Sequence, residues 1–341
     1  MFFFPIFVKF FSFILNSMRA VIPVAGFGSR LRPHTHSLPK VLLNVAGKPI
    51  LAHILDELVS QNIDKVTIIT GYKGDMIEEY VNSQYDFNAT FVEQKELLGL
   101  GHAIWTASPT FEDEPLMIIL GDTIFDADLS LASKQGVSSI GVKQVEDPRR
   151  FGVVLLDENE KITKLVEKPQ TPVSNLAIVG IYYMANGLRL KHALDTLIDK
   201  NIRTNNEYQL TDALQLMLEG GEEFVTFPVE GWHDCGKKET MLSTNQFLLE
   251  KYNHKYKLEN TVVIDPCYIA ENANVTNSVI GPYASIAEGS VVTNSIIENT
   301  IISENANVSH IALNQSIIGN NAIVEGKSIE LNLGSNSEIT I

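Results

Sequence analysis

The strongest constraint lies towards the C-terminus. From Ile269 onward an aliphatic residue recurs every five or six positions: Ile269, Val275, Ile280, Ile286, Val292, Ile297, Ile302, Val308, Leu313, Ile318, Val324 and Ile329, with Asn, Ser, Gly and Glu between them. A helix repeats its apolar face every ~3.6 residues and a strand every second residue. A period near six fits neither. It is the signature of a left-handed parallel β-helix, in which one side chain per flat side points into a triangular prism. At three sides per turn these positions make about four coils. A β-sandwich is the competing reading, but its alternation would be two. Residues 260–330 are therefore assigned to the β-helix and 331–341 to a frayed end. A linker helix is expected over 248–259.

Residues 18–247 follow a different grammar. Strand-like runs at Ala20–Val24, Val66–Thr70, Ala89–Val92 and Leu116–Leu120 alternate with helical spacing at Pro49–Gln61, Asp75–Asn82 and Gly101–Ala107. This βαβα order predicts an α/β domain with a doubly wound, mostly parallel, Rossmann-like sheet. Such sheets take ligands at the carboxyl ends of their strands. A chain of 341 residues, 45% apolar and 20% charged, accommodates both domains and excludes wholesale disorder.

Residues 1–17, MFFFPIFVKFFSFILNS, stand apart. Lys9 sits inside the apolar run rather than before it, and Asn16-Ser17 is a poor cleavage site, so an export signal fits badly. The run is too short for a membrane span of about 20 apolar residues, and it holds Pro5. The expectation is an extension outside the fold, such as a start-codon artefact, with a membrane-surface anchor as the alternative. Lys plus Arg is 26 against 41 for Asp plus Glu, a net charge of −15. That argues against nucleic acid as partner but leaves room for a small phosphorylated ligand in a local basic pocket. Cys235 and Cys267 are too few for a disulfide framework or a zinc site, and reduced thiols in a cytoplasmic protein are expected.

Four features carry chemistry. Gly26-Phe27-Gly28-Ser29-Arg30 follows the first strand, where glycines let backbone N–H groups approach an anion. No Gly-Lys-Ser/Thr closes a P-loop there, and the third glycine of the dinucleotide fingerprint is missing. Arg30, Arg32 and Lys40 form a cationic cluster that suits a polyphosphate at a strand's carboxyl end. Asp122, after a buried strand and Gly121, and Asp234, in Trp232-His233-Asp234, would suit Mg²⁺ if the fold brings them together. Glu167-Lys168-Pro169 pairs an acceptor for sugar hydroxyls with a cation for a phosphate. Gln94 and Gly99 bracket a loop able to read a nucleobase edge. Each motif alone also has a bland reading as a turn, a cap or a solvated charge.

In this order the motifs resemble the sugar-1-phosphate nucleotidylyltransferases, and most of all the long-form glucose-1-phosphate thymidylyltransferases that carry a C-terminal β-helix. The resemblance spans Arg19 to about Ile329. It also takes in Asp147-Pro148-Arg149-Arg150-Phe151-Gly152-Val153-Val154 and Leu210-Thr211-Asp212. It implies Mg²⁺-dependent transfer of a nucleotidyl group from dTTP to glucose 1-phosphate, releasing pyrophosphate. Arg30, Lys40 and Lys168 would be catalytic. Ala25, Gly26, Gly28, Ser29, Gln94 and Gly99 would bind the nucleotide, and Gly152, Glu167 and Lys168 the sugar phosphate. Asp122 and Asp234 would hold the metal. The partners implied are a nucleoside triphosphate and a sugar 1-phosphate, with no nucleic acid, no membrane and a homo-oligomeric assembly.

Ala25-Gly26 replaces the glycine pair of many thymidylyltransferases, and Thr123 a frequent Asn. Pro23-Val24-Ala25-Gly26 and Gly99-Leu100-Gly101-His102-Ala103 are similar to the bacterial UTP:glucose-1-phosphate uridylyltransferases. UTP is therefore the main alternative, and GTP with mannose 1-phosphate a further one. Two remoter alternatives are a β-helix acyltransferase using His310 and a non-catalytic nucleotide sensor. Sensors usually lose the arginine, lysine or aspartates, which are all present here.

Overall fold

The computed structural model describes residues 18–251 and 254–327. The expected extension 1–17, the frayed end 331–341 and the inward position Ile329 lie outside the described residues. The chain divides into two compact units: residues up to Leu43 with Pro49–Thr240, and Asn44–Lys48 with the residues from Met241 onward.

The first unit is built on a nine-stranded sheet. In chain order its strands are β1 (Arg19–Pro23), β2 (Lys65–Thr70), β3 (Asn88–Glu93) and β4 (Leu116–Ile119). After the short β5 (Thr123–Asp126), outside the sheet, come β6 (Ser138–Gln144), β7 (Gly152–Leu156), β8 (Ile162–Glu167), β9 (Leu176–Met184) and β10 (Phe224–Pro228). The order is β8-β7-β9-β4-β1-β2-β3, with β6 pairing β9 and β10. Residues alternate sides along β1. Ala20 and Ile22 join one core with Leu51, Ile54, Leu55 and Leu58 of α1 (Ile50–Ser60) and Ile77 and Val81 of α2 (Gly74–Gln84). Val21 joins the other with Ile104 of α3 (Leu100–Ala107), Leu190 and Leu194 of α4 (Gly187–Asp199) and Leu214 of α5 (Leu210–Glu219). Helices thus cover both faces, which is why β1 is apolar on both. The doubly wound expectation holds.

β1 runs parallel to β2 and β4, and β2 to β3. The residues that follow these strands, 24–28, 71, 94 and 120–122, therefore share one edge. The second half of the sheet is different. β9 lies antiparallel to β4, β6 and β7, and β8 antiparallel to β7. β11 (Gly231–Asp234) forms an antiparallel ribbon with β5, pairing Asp234 with Thr123 and Trp232 with Phe125.

In the second unit three four-stranded parallel sheets stack into the left-handed β-helix. Val263 pairs with Ile280, Ile280 with Ile297 and Ile297 with Leu313, so each coil takes sixteen or seventeen residues. Ile280, Ile286, Val292, Ile297, Ile302 and Val308 are fully buried along the prism. Val263 starts the inward row, one side earlier than the periodicity suggests. Asn260, Asn277, Asn294 and His310 share the left-handed backbone region, with φ of 47°, 50°, 49° and 55°. Asn is the non-glycine residue that tolerates this conformation best, which explains the Asn-rich spacers.

The linker helix is displaced. α6 runs Lys238–Leu249, and residues 254–258 have no regular structure. Met241, Leu242, Leu248 and Leu249 supply α6 with buried apolar residues, whereas Glu-Lys-Tyr-Asn-His-Lys-Tyr-Lys, which follows, is mostly charged and polar. The unit division also falls inside α6, after Thr240 rather than after residue 247. Asn245, fully buried, accounts for it: Oδ1 accepts from Ala46 N at 2.9 Å and Ser285 Oγ at 2.7 Å, and Nδ2 donates to Tyr283 O at 3.1 Å. No described helix is long and apolar enough to cross a membrane.

Candidate active site

At the carboxyl edge of the parallel strands lies a cavity of about 380 Å³. Ala25, Gly26, Lys40, Gln94, Gly99 and Asp122 all line it, so most of the expected nucleotide-binding residues meet in one place. Gly26 has open space where a Cβ would sit, leaving its backbone uncovered. Gly28 has another task. Its φ is +61°, and a Cβ would approach the Cβ of Lys40 to 2.8 Å, so the turn packs directly on the lysine stem. Gly99, at φ +109°, lets the chain pass the Tyr208 backbone, where a Cβ would meet Tyr208 O at 2.6 Å. Ser29 and Arg30 are exposed in the short turn Ser29–Leu31.

Lys40 is buried, and its Nζ pairs with Asp122 Oδ2 at 2.7 Å. The Asp122 side chain is still 46% exposed. The β5–β11 ribbon sets Asp234 opposite Thr123, and Cys235 N donates to Asp122 O at 3.2 Å. The two aspartates, remote in the chain, thus sit on adjoining backbone. Thr240 Oγ1 donates to Asp234 Oδ2 at 3.2 Å. A Cβ on Gly236 would lie 2.7 Å from Asp234 Oδ1 and 2.9 Å from Arg30 Nη2, so carboxylate and guanidinium crowd the same glycine.

The expected sugar-binding residues form a second cluster. Glu167 pairs with Gly152 across β8 and β7. Thr211 Oγ1 donates to Glu167 Oε2 at 2.7 Å, and Lys168 Nζ stands 3.3 Å from Oε1. A Cβ on Gly152 would come within 3.0 Å of both Glu167 Oε2 and Thr211 Oγ1. The Glu167 side chain is 9% exposed and that of Lys168 42%, so the glutamate is fixed and the lysine is free to reach solvent. Burial pushes the Asp212 carboxyl above its ordinary pKa, against a hydrogen bond from Thr204 and with a smaller push from the Glu167 charge. Phe151, the residue before Gly152, packs edge-on against Trp232 at 4.7 Å, so β11 carries both this ring contact and Asp234.

Sequence reasoning missed two contributors. Glu207 lines the cavity, held by Gln209 Nε2 at 2.9 Å, and no local motif marks it. Thr211 anchors Glu167; its Leu-Thr-Asp motif was visible, but its partner, far away in the chain, was not. His310 occupies a turn position one coil beyond Asn294, whose Nδ2 lies 3.2 Å from its Nε2. It continues the row of left-handed corners, which accounts for it without a catalytic role.

The nucleotidyl transferase family model matches residues 19–251. The chain is 35% identical to a bifunctional GlmU protein of Methanocaldococcus jannaschii, over 93% of this chain and 81% of that protein. It is 32% identical to a glucose-1-phosphate thymidylyltransferase of Streptomyces antibioticus, over 95% of this chain and 94% of that one. A UTP–glucose-1-phosphate uridylyltransferase of Haloferax volcanii is 33% identical over 69% of this chain and 98% of its own length. Among solved structures, a UDP-glucose pyrophosphorylase complexed with UDP-glucose superposes with a TM-score of 0.60 at 26% identity, covering 69% of this chain and 99% of that one. With this match over most of its length, the chain belongs to the nucleotidyl transferase family, among the sugar-1-phosphate nucleotidylyltransferases.

Proposed function

We propose that this enzyme transfers a nucleotidyl group from dTTP to glucose 1-phosphate, giving dTDP-glucose and pyrophosphate. The observation that carries the reading is the single cavity lined by the Ala25-Gly26 backbone, the Lys40–Asp122 pair and Gln94 with Gly99. A cation, a glycine backbone and an amide able to read a base thus line the same space. UTP is the second reading, favoured by Gly99-Leu100-Gly101-His102-Ala103 and by the similarity to the Haloferax enzyme. A cytoplasmic location, where triphosphates are made, and a homo-oligomer accompany this reading.

Bringing two phosphates together is the main obstacle. At an effective dielectric of about 20, two unit charges about 4 Å apart repel by about 4 kcal/mol, which is roughly a thousandfold in rate. Arg30 and Lys40 would offset the triphosphate charge, and Lys168 the sugar phosphate. Glu167, fixed by Thr211, would accept from sugar hydroxyls and set the attacking oxygen in line with the α-phosphorus. No covalent intermediate on the protein is needed, and positioning carries much of the acceleration.

The donor set also fits a small hard cation. Mg²⁺ takes one or two carboxylates together with phosphate oxygens and water. Among the described residues no group of three or more His, Cys, Asp or Glu side chains is placed to form an all-protein cage. Asp122 and Asp234 would hold the ion, with Lys40 on Asp122 Oδ2 and only a long 3.5 Å hydrogen bond from Thr123 Oγ1 on Oδ1. The ion would supply charge stabilisation on the leaving group. A pyrophosphate-release screen of four triphosphates against several sugar 1-phosphates tests the assignment. Highest kcat/KM with dTTP and glucose 1-phosphate is expected, and release only with GTP and mannose 1-phosphate would overturn it.

A further inference from the structure

The amide in the cavity wall has two unequal ends. Gln94 is 5% exposed, and its backbone N donates to Thr70 O at 2.8 Å. Its Nε2 lies 3.4 Å from Gly99 O and 3.1 Å from Nδ1 of His102. A carbonyl only accepts, so the amide nitrogen must face Gly99. The remaining amide hydrogen goes to His102 Nδ1, which accepts when the ring is neutral and protonated at Nε2. Both amide hydrogens are then used. What Gln94 presents to a ligand is Oε1, an acceptor with no protein donor among the described residues.

We infer that His102 is a positioning residue that locks Gln94 as an acceptor-only reader, so that the site selects triphosphates whose base carries a ring N–H at the centre of its Watson–Crick edge. This rests on the proposed nucleotide site. Thymine and uracil present N3–H there. Cytosine presents a bare N3 lone pair, which would meet the Oε1 lone pairs. Guanine also carries an N–H on that edge, so the informative contrast is with cytosine. A site built around a buried hydrogen bond rejects a ligand that leaves it unpaired far better than an apolar pocket rejects a misfit.

The ring of His102 is held from several sides. It lies 6.3 Å from the Tyr208 ring at 25° and 5.7 Å from Trp105. Arg203 covers the Tyr208 ring at 4.1 Å and donates to its hydroxyl at 3.0 Å. Burial lowers the His102 pKa below 6.5, with Glu96 opposing and Arg203 assisting. The neutral form therefore prevails at neutral pH. Below the lowered pKa, Nδ1 becomes a donor and Gln94 loses its anchor.

The test compares dTTP, UTP and CTP, each by steady-state kinetics with glucose 1-phosphate and by direct binding calorimetry, for the unsubstituted protein, His102→Ala and His102→Asn. Asn places an acceptor near the Nδ1 position. His102→Ala is expected to raise KM and Kd for dTTP and UTP roughly tenfold, the scale of one lost buried hydrogen bond, and to narrow their advantage over CTP. The KM for sugar phosphate should not move. His102→Asn should restore the preference, and any acid-side rise in nucleotide KM that the unsubstituted protein shows should be absent from it. A folded His102→Ala protein that keeps both KM and base preference overturns the role. So does an equal affinity for dTTP, UTP and CTP in the unsubstituted protein at neutral pH, which needs no variant to fold. If transfer is absent but calorimetry shows a preference for UTP over CTP that His102→Ala weakens and His102→Asn restores, the proposed function fails and the role of His102 stands.

Discussion

Gly236→Ala adds one methyl group at the point where Arg30 and Asp234 crowd together. Gly236 has no positive φ, so the backbone itself tolerates alanine. The new Cβ would sit 2.7 Å from Asp234 Oδ1, 2.9 Å from Arg30 Nη2 and 3.0 Å from Asp234 Oδ2, where ordinary contact begins at 3.4 Å. The carboxylate must therefore withdraw by roughly 0.7 Å, that is 3.4 − 2.7, and the guanidinium by a similar amount. All three contacts are side-chain ends that can move, and Gly→Ala lowers the entropy of the unfolded chain by up to about 1 kcal/mol. The melting temperature should change by no more than about 3 °C. Catalysis is less tolerant, since a misplacement of about 1 Å commonly costs on the order of a hundredfold. Pyrophosphate release at saturating substrates should fall by roughly thirty- to a hundredfold. A kcat within about twofold of the unsubstituted enzyme would show that Asp234 and Arg30 are not positioned by this turn for chemistry.

Asp122→Asn should abolish metal-dependent turnover, by about 10³-fold or more, in a protein that still folds, although loss of the Lys40 partner lowers its melting temperature; near-normal turnover would remove Asp122 from the site. Lys168→Ala should raise the KM for sugar phosphate without altering triphosphate affinity, because Lys168 stands beside Glu167 and not in the nucleotide cavity; steady-state kinetics with each substrate varied separate the two. Glu114→Gln acts on stability alone. Glu114 Oε1 accepts from buried Arg19 Nε at 2.7 Å and Oε2 pairs with Lys65 at 2.8 Å, at the end of the sheet opposite the cavity. Removing the shared carboxylate should cost about 3 kcal/mol and lower the melting temperature by about 10 °C, with kcat per folded molecule unchanged.

The parts of the molecule that were legible in the sequence have local causes. One aliphatic residue per prism side produces a period no other fold requires, so the β-helix was readable except for its start at Val263, where the preceding residues carry no repeat. Strands β1, β2 and β4 were readable because burial on both faces gives them largely apolar and β-branched runs, whereas β3, only half-buried, was marked by its Ala-Thr-Phe-Val run alone. The antiparallel course of β9 was not, since Leu176–Met184 reads the same in either direction. The β5–β11 ribbon was equally hidden, because its register depends on contacts between segments far apart in the chain. The pairing of Thr211 with Glu167 and the cavity position of Glu207 share that cause. The end of α6 was misjudged because Phe247 to Leu249 looked like a helix beginning rather than one ending.

The two-carboxylate metal site is tested most directly by titrating Mn²⁺ into the protein saturated with a triphosphate and following free Mn²⁺ by electron paramagnetic resonance. One tightly bound ion per chain is expected, with its affinity reduced at least about a hundredfold in both Asp122→Asn and Asp234→Asn. Unaltered Mn²⁺ affinity in either variant would contradict a shared site.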